Sequence, residues 1–400
     1  MERFDLVTIG GGLGGAAIAK AMAERGARVL VLERERRFSD RVRGEALAAW
    51  GTADAKALGL YDSIAADGGH MLRYWAIHVG GQPIIKRDLF STTPQGDGWF
   101  TFYHPRMQEL TLAAAESAGA EVRRGARVRH VTPGSRPHTA YEHEGRTRDV
   151  EARLVVGADG RGSMVRRWGG FQVENDPPHL LFSGVLLEGV RAPADEFHHA
   201  MAPDRGLTAL VFPQRDGRAR TYFGFHRDAG VERLQGAGDL GRYRELSHAI
   251  GIPLAFYADA RPSGPLATFD GADSWVPHPY REGVALVGDA AATSDPTWGQ
   301  GMSLTLRGVR TLRDALLADD DWERAGHAYA NVHDRCYDVV HRADGWYRDL
   351  FMEIGAEADA RRARALPLVM EDPSRIVDVG MSGPEAPHDD TARRRFFGEV

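Results

Sequence analysis

A run of glycines near the amino terminus has the spacing of a phosphate-binding turn. Residues 10–15 read Gly-Gly-Gly-Leu-Gly-Gly and satisfy the pattern G-x-G-x-x-G. In such a turn Gly10 permits the tight bend, Gly12 lets the backbone approach a pyrophosphate, and Gly15 lets a helix pack closely on a strand. The helix N-terminus that follows offers unpaired N–H groups to the phosphates.

The segments around this turn supply the context that the motif needs. An apolar run over residues 4–10 predicts a buried strand, an alanine-rich helix continues to about Arg25, and residues 27–33 predict a second strand. Glu33 ends that strand 18 positions after Gly15 (33 − 15), where a carboxylate accepts hydrogen bonds from ribose hydroxyls. The unit therefore indicates a βαβ fold that binds a dinucleotide.

A second copy of the pattern stands at residues 236–241, with Asp259 located 18 positions further on (259 − 241). The preceding residues 228–235 are mostly polar and do not predict an apolar strand. Without a strand the turn has no sheet to project from, so we interpret it as a polar loop before a helix.

Two more glycine turns each place an aspartate directly after an apolar strand. Asp159 follows Val155-Val156-Gly157-Ala158, and Asp289 follows the strand predicted over residues 284–287 and Gly288. A carboxylate at such an edge can accept hydrogen bonds from the hydroxyls of a polyol chain. Glycines at 299 and 301 would let the next helix begin close to a flat ring and stabilise negative charge there.

The three turns, in this order, resemble those of the flavoprotein aromatic hydroxylases, the para-hydroxybenzoate hydroxylase-like family of single-component FAD monooxygenases. The similarity extends over about residues 1–320. It implies that FAD is bound by the residues that match the family's motifs, which are Gly10, Gly12, Leu13, Gly14, Gly15, Glu33, Arg34, Arg43, Arg106, Val128, Asp159, Gly160, Gly288, Asp289, Gly299, Gly301 and Met302.

By the same resemblance, Arg43 and Arg106 are similar to arginines near the pyrophosphate and the flavin, and Asp289 to the ribityl ligand. The flavin-side loop comprises Pro296, Trp298, Gly299 and Gln300. Three positions depart from the family pattern: Ala292 replaces a usual histidine, Ser303 a usual asparagine, and Trp298 a common glycine. These departures leave FAD binding intact and bear on the substrate class.

The resemblance implies an FAD-dependent monooxygenase that consumes NAD(P)H, as a transient reductant, and O2 to oxygenate a small aromatic or apolar molecule. The cofactor carries such chemistry, so no catalytic base is assigned. A flavin-dependent halogenase is a rival, although its Trp-x-Trp-x-Ile-Pro signature is absent and Lys86 is the only lysine loosely placed for the required amine. A geranylgeranyl reductase-like enzyme and a non-catalytic FAD-binding module are two further candidates.

The composition of the chain bears on which classes of partner it can bind. A net charge of −6 and a pI near 6.3 give no basic footprint for nucleic acid. No signal or membrane-spanning pattern is found, which predicts a cytoplasmic protein. No metal site is predicted, because His198 and His199 are adjacent on a predicted strand and point to opposite faces. The single cysteine, Cys336, lies at helical spacing among apolar residues and predicts a buried thiol.

The predicted architecture is α/β: a discontinuous Rossmann-like FAD-binding domain, an inserted β-rich substrate domain and C-terminal helices. We assign residues 1–70, 101–170 and 276–320 to the FAD-binding domain, and residues 71–100 and 171–275 to the substrate domain. Residues 321–400 form a helical region that ends near Gly355 in a polar, proline-punctuated tail. Helices are predicted over residues 45–58, from Pro105 to about Ala118, and near 240–250, and a strand over residues 255–257.

Candidate substrate contacts are the aromatic and histidine side chains of the β-rich segment and its approaches: Tyr74, Trp75, His78, Tyr103, Phe212, Tyr222, Phe223 and His226. An aromatic stripe on a sheet is more often plain core, so these residues are candidates only.

Overall fold

The computed structural model describes residues 1–42, 44–79 and 81–400. Its helices, in chain order, are α1 (Leu13–Ala23), α2 (Ala49–Ala57), α3 (Tyr61–Ala66), α4 (Leu89–Thr92), α5 (His104–Ser117), α6 (Met164–Trp168), α7 (Leu240–Ala249), α8 (Gly301–Ala318), α9 (Trp322–Phe351), α10 (Ala356–Glu371), α11 (Val379–Ser382) and α12 (Asp390–Phe396).

The strands, in chain order, are β1 (Glu2–Ile9), β2 (Val29–Glu33), β3 (Ala46–Leu47), β4 (His70–Leu72), β5 (Tyr74–Val79), β6 (Gln82–Asp88), β7 (Trp99–Thr101), β8 (Glu121–Arg124), β9 (Arg127–Thr132), β10 (His138–His143), β11 (Arg146–Gly157), β12 (Glu174–Asn175), β13 (Leu180–Glu188), β14 (Glu196–Ala202), β15 (Leu207–Pro213), β16 (Arg218–His226), β17 (Arg261–Pro262), β18 (Ala267–Asp270), β19 (Ser274–Trp275), β20 (Tyr280–Arg281), β21 (Val284–Leu286) and β22 (Ala292–Thr293).

The first sheet is built around parallel strands in the order β21-β11-β1-β2-β8, with β20 on one edge and the β9–β10 pair attached to β11. Helices α1, α5 and α8 pack together on one face of it, and their buried alanines and leucines form one core with the apolar strands. A second core lies on the opposite face. Because the central strands are covered on both sides, they are almost wholly apolar.

The second sheet runs in the order β17-β13-β16-β15-β14-β5-β6, with β18 beside β13. Its pairings are antiparallel except for β14 with β5. Side chains alternate between two faces, one packed on α7 and the other on the C-terminal helices and on residues of β3, β4 and β7. The α/β fold class, with its β-rich insertion and C-terminal helices, is confirmed. The domain boundaries stay a proposal.

Local structure departs from the predictions at three places. The helix predicted from Glu45 begins only at Ala49, because the residues of β3 pair with β7 instead. The strand predicted at residues 255–257 is a 3₁₀ turn, Leu254–Tyr257, that follows Pro253. Strand β10, which was not predicted, extends the first sheet beyond β11.

The predicted polar tail is wrong. Residues after 355 form α10, α11 and α12, and α10 accommodates Pro367 within the helix. These helices bury Ala365, Phe396 and Phe397 against α9 and the second sheet. Burial of these apolar side chains stabilises helices that their polar composition alone does not favour.

A buried ion pair joins β16 of the second sheet to the segment between β2 and β3. Arg220 on β16 is fully buried and donates to the carboxylates of Asp40 and Glu45, each at 2.9 Å. Glu45 also accepts from the His104 backbone N–H at 3.0 Å and from the Gln214 amide at 2.5 Å. Its carboxylate therefore links the second sheet to the start of α5, which packs on α1.

We expect Glu45→Ala to lower the free energy of unfolding by about 3–5 kcal/mol, because the change leaves the Arg220 charge buried with fewer partners. Denaturant unfolding measures this. The control is Glu142→Ala, which removes an exposed ion pair with Arg129 and should change stability little. Equal effects of the two changes would show that the buried pair does not hold the sheets together.

Candidate functional site

The three glycine turns converge on one large cavity. It has a volume of about 930 Å³ and lies where the carboxyl ends of β1, β2, β11 and β21 face the second sheet. Ligands of open parallel sheets bind at this edge. The residues from the predicted cofactor set that line it are Gly10, Gly12, Leu13, Gly14, Glu33, Arg34, Val128, Asp159, Gly160, Gly288, Asp289, Gly299, Gly301 and Met302.

Within the first turn, two glycines are required by the protein's own packing. Gly10 has φ +99°, and a Cβ there would lie 2.4 Å from the carbonyl oxygen of Ala158. A Cβ on Gly15 would lie 1.9 Å from the carbonyl oxygen of Gly10, so α1 could not approach β1. Gly12 differs, because a Cβ there would have only the Gln108 amide within 4 Å, at 3.3 Å. Gly12 lines the cavity, so the absence of a side chain there leaves space for a ligand and is not required by the packing of the protein.

Glu33 holds the turn from the end of β2. Its buried carboxylate accepts from the Gly11 N–H at 2.6 Å and from the Glu35 N–H at 2.7 Å. A carboxylate offers about four lone-pair sites, so Glu33 can still accept from a ligand hydroxyl in the cavity that it lines.

Asp159 also caps a helix. Its carboxylate accepts from the Ser163 hydroxyl at 2.5 Å and from the Met164 N–H at 2.7 Å, at the start of α6. The side chain borders the cavity, and a carboxylate with about four lone-pair sites can cap α6 and still accept from a ligand hydroxyl. The contact of Asp159 with the cofactor stays a prediction.

Asp289 is the free carboxylate of the three turns. It is half-buried and lines the cavity, and its side chain makes no hydrogen bond or ion pair with any residue that the structure describes. Gly288 before it has φ +60° and lies against Thr305 of α8. This turn thus presents a carboxylate to the cavity with its acceptor capacity unused.

Beyond Asp289 the chain forms the loop of residues 296–300 and enters α8. Gly299 has φ +68°, and a Cβ there would lie 2.9 Å from the Trp99 ring. Because α8 begins at Gly301 on the cavity wall, its first N–H groups and the positive end of its dipole lie at the cavity.

Several predicted residues lie elsewhere. Arg106 is not among the residues that line the cavity, and its exposed guanidinium pairs with Asp67, so its position beside the cofactor stays a prediction. Arg43 falls outside the described residues. Gln300 is fully buried, but its amide turns away from the cavity toward α9.

A second cavity of about 300 Å³ lies between the second sheet and the C-terminal helices. It shares Trp99, Phe212 and Gly299 with the large cavity, so the two meet at this wall. Its other lining residues are almost entirely apolar and include Trp75, Ile77, Phe197, Met201, Trp298, Tyr347, Phe351 and Val369.

Of the predicted substrate contacts, Phe212 lines both cavities, Tyr222 the large one and Trp75 the second one. The other five, Tyr74, His78, Tyr103, Phe223 and His226, line neither cavity among the described residues. Phe223 belongs to the core under α7. Sequence reasoning missed Trp99, Phe182, Leu210 and Phe197. The period-2 alternation of Leu210 and Phe212 on β15 was the available signal.

His198 and His199 point to opposite faces of β14, as predicted. His199 lines the second cavity beside Trp75 and Trp298, whereas His198 packs on Phe256. Burial lowers the pKa of His199 to about 3, so the ring is neutral. It hydrogen-bonds the Thr208 hydroxyl at 3.0 Å. Cys336 is partly buried on α9, and burial raises the pKa of its thiol.

A family model described as "FAD binding domain" matches residues 3–335. The chain belongs to this family. Ubiquinone hydroxylase UbiL of Rhodospirillum rubrum is 27% identical over 328 residues, which cover 78% of this chain and 72% of the relative. Digeranylgeranylglycerophospholipid reductase 1 of Methanopyrus kandleri is 26% identical over 309 residues, covering 76% and 77%.

Among solved structures, p-nitrophenol 4-monooxygenase PnpA from Pseudomonas putida DLL-E4 superposes with a TM-score of 0.79 at 19% identity, over 95% of this chain and 98% of that one. The predicted resemblance to the FAD-dependent aromatic hydroxylases is confirmed, and the chain is an FAD-dependent oxidoreductase. None of the helices that the structure describes is long and apolar enough to cross a bilayer.

The open space at Gly12 predicts the effect of a larger side chain there. We expect Gly12→Val to fold and to purify without FAD, because the added side chain meets cavity space and little protein. Flavin absorbance per protein, together with thermal unfolding, measures this. The matched control is Gly238→Val in the second G-x-G-x-x-G segment, where a Cβ meets nothing within 4 Å. A fully FAD-loaded Gly12→Val protein would contradict the assignment.

The carboxylate of Asp289 predicts the effect of its removal on FAD binding. Loss of a charge-assisted hydrogen bond costs about 1.5–3 kcal/mol, so Asp289→Ala should weaken FAD binding roughly ten- to hundredfold. Equilibrium titration of the apoprotein with FAD gives both dissociation constants. Asp259→Ala, an exposed aspartate paired with Arg191, should bind FAD as the wild type does. An equal loss at both positions would remove Asp289 from the site.

Proposed function

We propose that this protein uses FAD, NAD(P)H and O2 to hydroxylate a small aromatic or otherwise apolar organic molecule. The observation that carries the proposal is the junction of the two cavities at Trp99, Phe212 and Gly299. One cavity has the glycine turns and the carboxylate that suit a dinucleotide, and the other is lined by apolar side chains.

The residues of the large cavity fit FAD. Gly12 leaves room for a pyrophosphate, Glu33 retains acceptor capacity for ribose hydroxyls, and Asp289 offers an unpaired carboxylate for the ribityl chain. The flavin ring would then lie beside Gly299 and the start of α8. Bound FAD would supply two-electron reduction by NAD(P)H and the reaction of reduced flavin with O2.

The chain's own residues would bind, orient and dehydrate the reactants. The N-terminus of α8 would stabilise negative charge that develops on the ring. Trp99, Phe182 and Phe212 form an apolar wall that would exclude water from the reacting atoms.

The second cavity supports a neutral, largely apolar substrate. Of the described residues, no lysine or arginine lines it, and its one carboxylate, Asp378, is occupied by Arg87. The neutral ring of His199 adds no charge. An anionic substrate would find no counterion there, whereas an aromatic or alkyl group would be desolvated favourably. The ubiquinone hydroxylase relative is named for a quinone substrate, which fits this chemistry.

NAD(P)H would approach the large cavity transiently. We infer this because no second strand–turn–helix unit of the dinucleotide type is found in the described residues: the rival segment follows no strand and forms a 3₁₀ turn, Ala237–Asp239. Asp159, Gly160 and Arg161 border the large cavity and form the edge over which a nicotinamide would enter.

The relationship to a digeranylgeranylglycerophospholipid reductase favours a second candidate, reduction of double bonds in an apolar chain. Such a molecule would also suit the second cavity. The two reactions differ in their requirement for O2 as a reactant.

The test is NAD(P)H consumption by the FAD-loaded protein with a panel of phenols, quinones and polyketide-like aromatics. We expect slow oxidation alone, strong acceleration by the true substrate, and a product that carries one oxygen atom from O2. Anaerobic stopped-flow absorbance gives flavin reduction with and without substrate. Substrate turnover that proceeds without O2 would favour the reductase, and a flavin reduced only by a separate protein would favour a halogenase-like enzyme.

A further inference from the structure

The flavin-side loop is anchored to α9 by a buried amide–carboxyl contact. The Gln300 amide nitrogen donates to Oδ1 of Asp344 at 2.6 Å, and both side chains are almost completely buried. Two atoms of this contact are left over: Oε1 of Gln300 and Oδ2 of Asp344 are buried and have no hydrogen-bond partner. Buried polar atoms without partners destabilise a protein. If Asp344 is ionised, these two oxygen atoms stay without a hydrogen bond.

Two further carboxyl groups surround Asp344. Asp273 and Asp295 are both buried and interact with it electrostatically, and Arg348 is the cation that faces the group. His341 pairs with Asp176 at 2.9 Å and lies 3.8 Å from Asp273. Tyr337 and Tyr347 also interact electrostatically with Asp344. Burial, reinforced by the neighbouring acids, raises the pKa of Asp344 well above its ordinary value and that of Asp273 to about 8.

We propose that Asp344 is a neutral carboxylic acid that positions the flavin-side loop through a two-hydrogen-bond pair with the amide of Gln300. In this pair the Gln300 N–H donates to Oδ1 of Asp344, and the Asp344 O–H donates to Oε1 of Gln300. One proton satisfies both leftover atoms, which an ionised Asp344 could not do because carboxylate and amide oxygens are both acceptors.

The pair acts on the wall between the two cavities. Gln300 lies between Gly299, which borders both cavities, and Gly301, which begins α8 at the large one. Trp298 in the same loop lines the second cavity. Deprotonation of Asp344 would place two hydrogen-bond acceptors, Oδ2 of Asp344 and Oε1 of Gln300, beside each other. Their repulsion would release the loop, so the shape of this wall depends on one proton. Asp344 is therefore a positioning residue and not a catalytic one.

The protonation state can be read directly from infrared spectra. The difference between wild type and Asp344→Asn at neutral pH should contain the C=O stretching band of a protonated carboxyl group. Asp338→Asn, an exposed aspartate on the same helix, should give only bands of an ionised carboxylate. A difference spectrum of wild type and Asp344→Asn that contains only the bands of an ionised carboxylate would overturn the proposal. Asparagine retains both hydrogen bonds, so this comparison uses a variant that we expect to fold.

Affinity for FAD supplies the second readout; it rests on the proposed placement of the flavin beside this loop. Asparagine can make the same two hydrogen bonds, so Asp344→Asn should bind FAD like wild type at neutral pH. Asp344→Leu leaves the amide unpaired and should bind FAD roughly tenfold more weakly under the same conditions. If Asp344→Asn behaves as Asp344→Leu does, the neutral-acid pair is wrong.

Stability offers a check that is independent of the cofactor. A carboxyl whose folded-state pKa is raised keeps a proton that the unfolded chain releases, so stability falls as pH rises up to the folded-state pKa. The melting temperature of Asp344→Asn should therefore fall less with rising pH than that of wild type. Equal pH slopes for wild type, Asp344→Asn and Asp338→Asn would contradict a proton on Asp344. Because none of the three readouts measures turnover, failure of the proposed monooxygenase activity would leave this test intact.

Discussion

The buried guanidinium of Arg220 is the interaction on which the arrangement of the two cavities depends. It stands on β16, in the middle of the second sheet, and its partners Asp40 and Glu45 come from the segment that leads out of the first βαβ unit. A buried charge that loses its ion-pair partner lowers the stability of the folded state by about 3–5 kcal/mol. The second sheet is thus fixed in position above the carboxyl ends of the parallel strands.

The position of the second sheet determines which side chains line each cavity. On the side of the first sheet, backbone turns and carboxylates dominate, because glycine turns at strand ends expose N–H groups and leave room for a ligand. On the side of the second sheet, aromatic and aliphatic residues of alternate strand positions face the C-terminal helices. The loop of residues 296–300 lies between the two environments, and its buried anchor on α9 is polar. A buried polar contact favours one loop position, since moving the loop would also separate the Gln300 amide from the Asp344 carboxyl group.

The aspartates that follow glycine turns show why similar motifs do different work. Asp159 and Asp289 each follow an apolar strand, yet one caps α6 and the other keeps its carboxylate free. The difference depends on Ser163 and the start of α6, which bring N–H groups within reach of Asp159. Asp289 instead lies inside a 3₁₀ turn, Gly288–Ala290, and no N–H group of that turn bonds its carboxylate. A motif thus indicates where a carboxylate lies, and the following backbone decides what it binds.

The sequence by itself determined the features whose physical cause is local. Gly15 is required because a Cβ would collide with the Gly10 carbonyl within the same turn, and the apolar strands around the turn follow from period and composition. The family, the cofactor class and the fold class could be inferred from such segments. Only the tertiary structure decided the contacts between distant residues: Arg220 with Glu45, 175 positions apart, and Gln300 with Asp344, 44 positions apart. It also revealed helices after residue 355, which a polar composition concealed, because their stability comes from burial against α9 and the second sheet and not from local propensity.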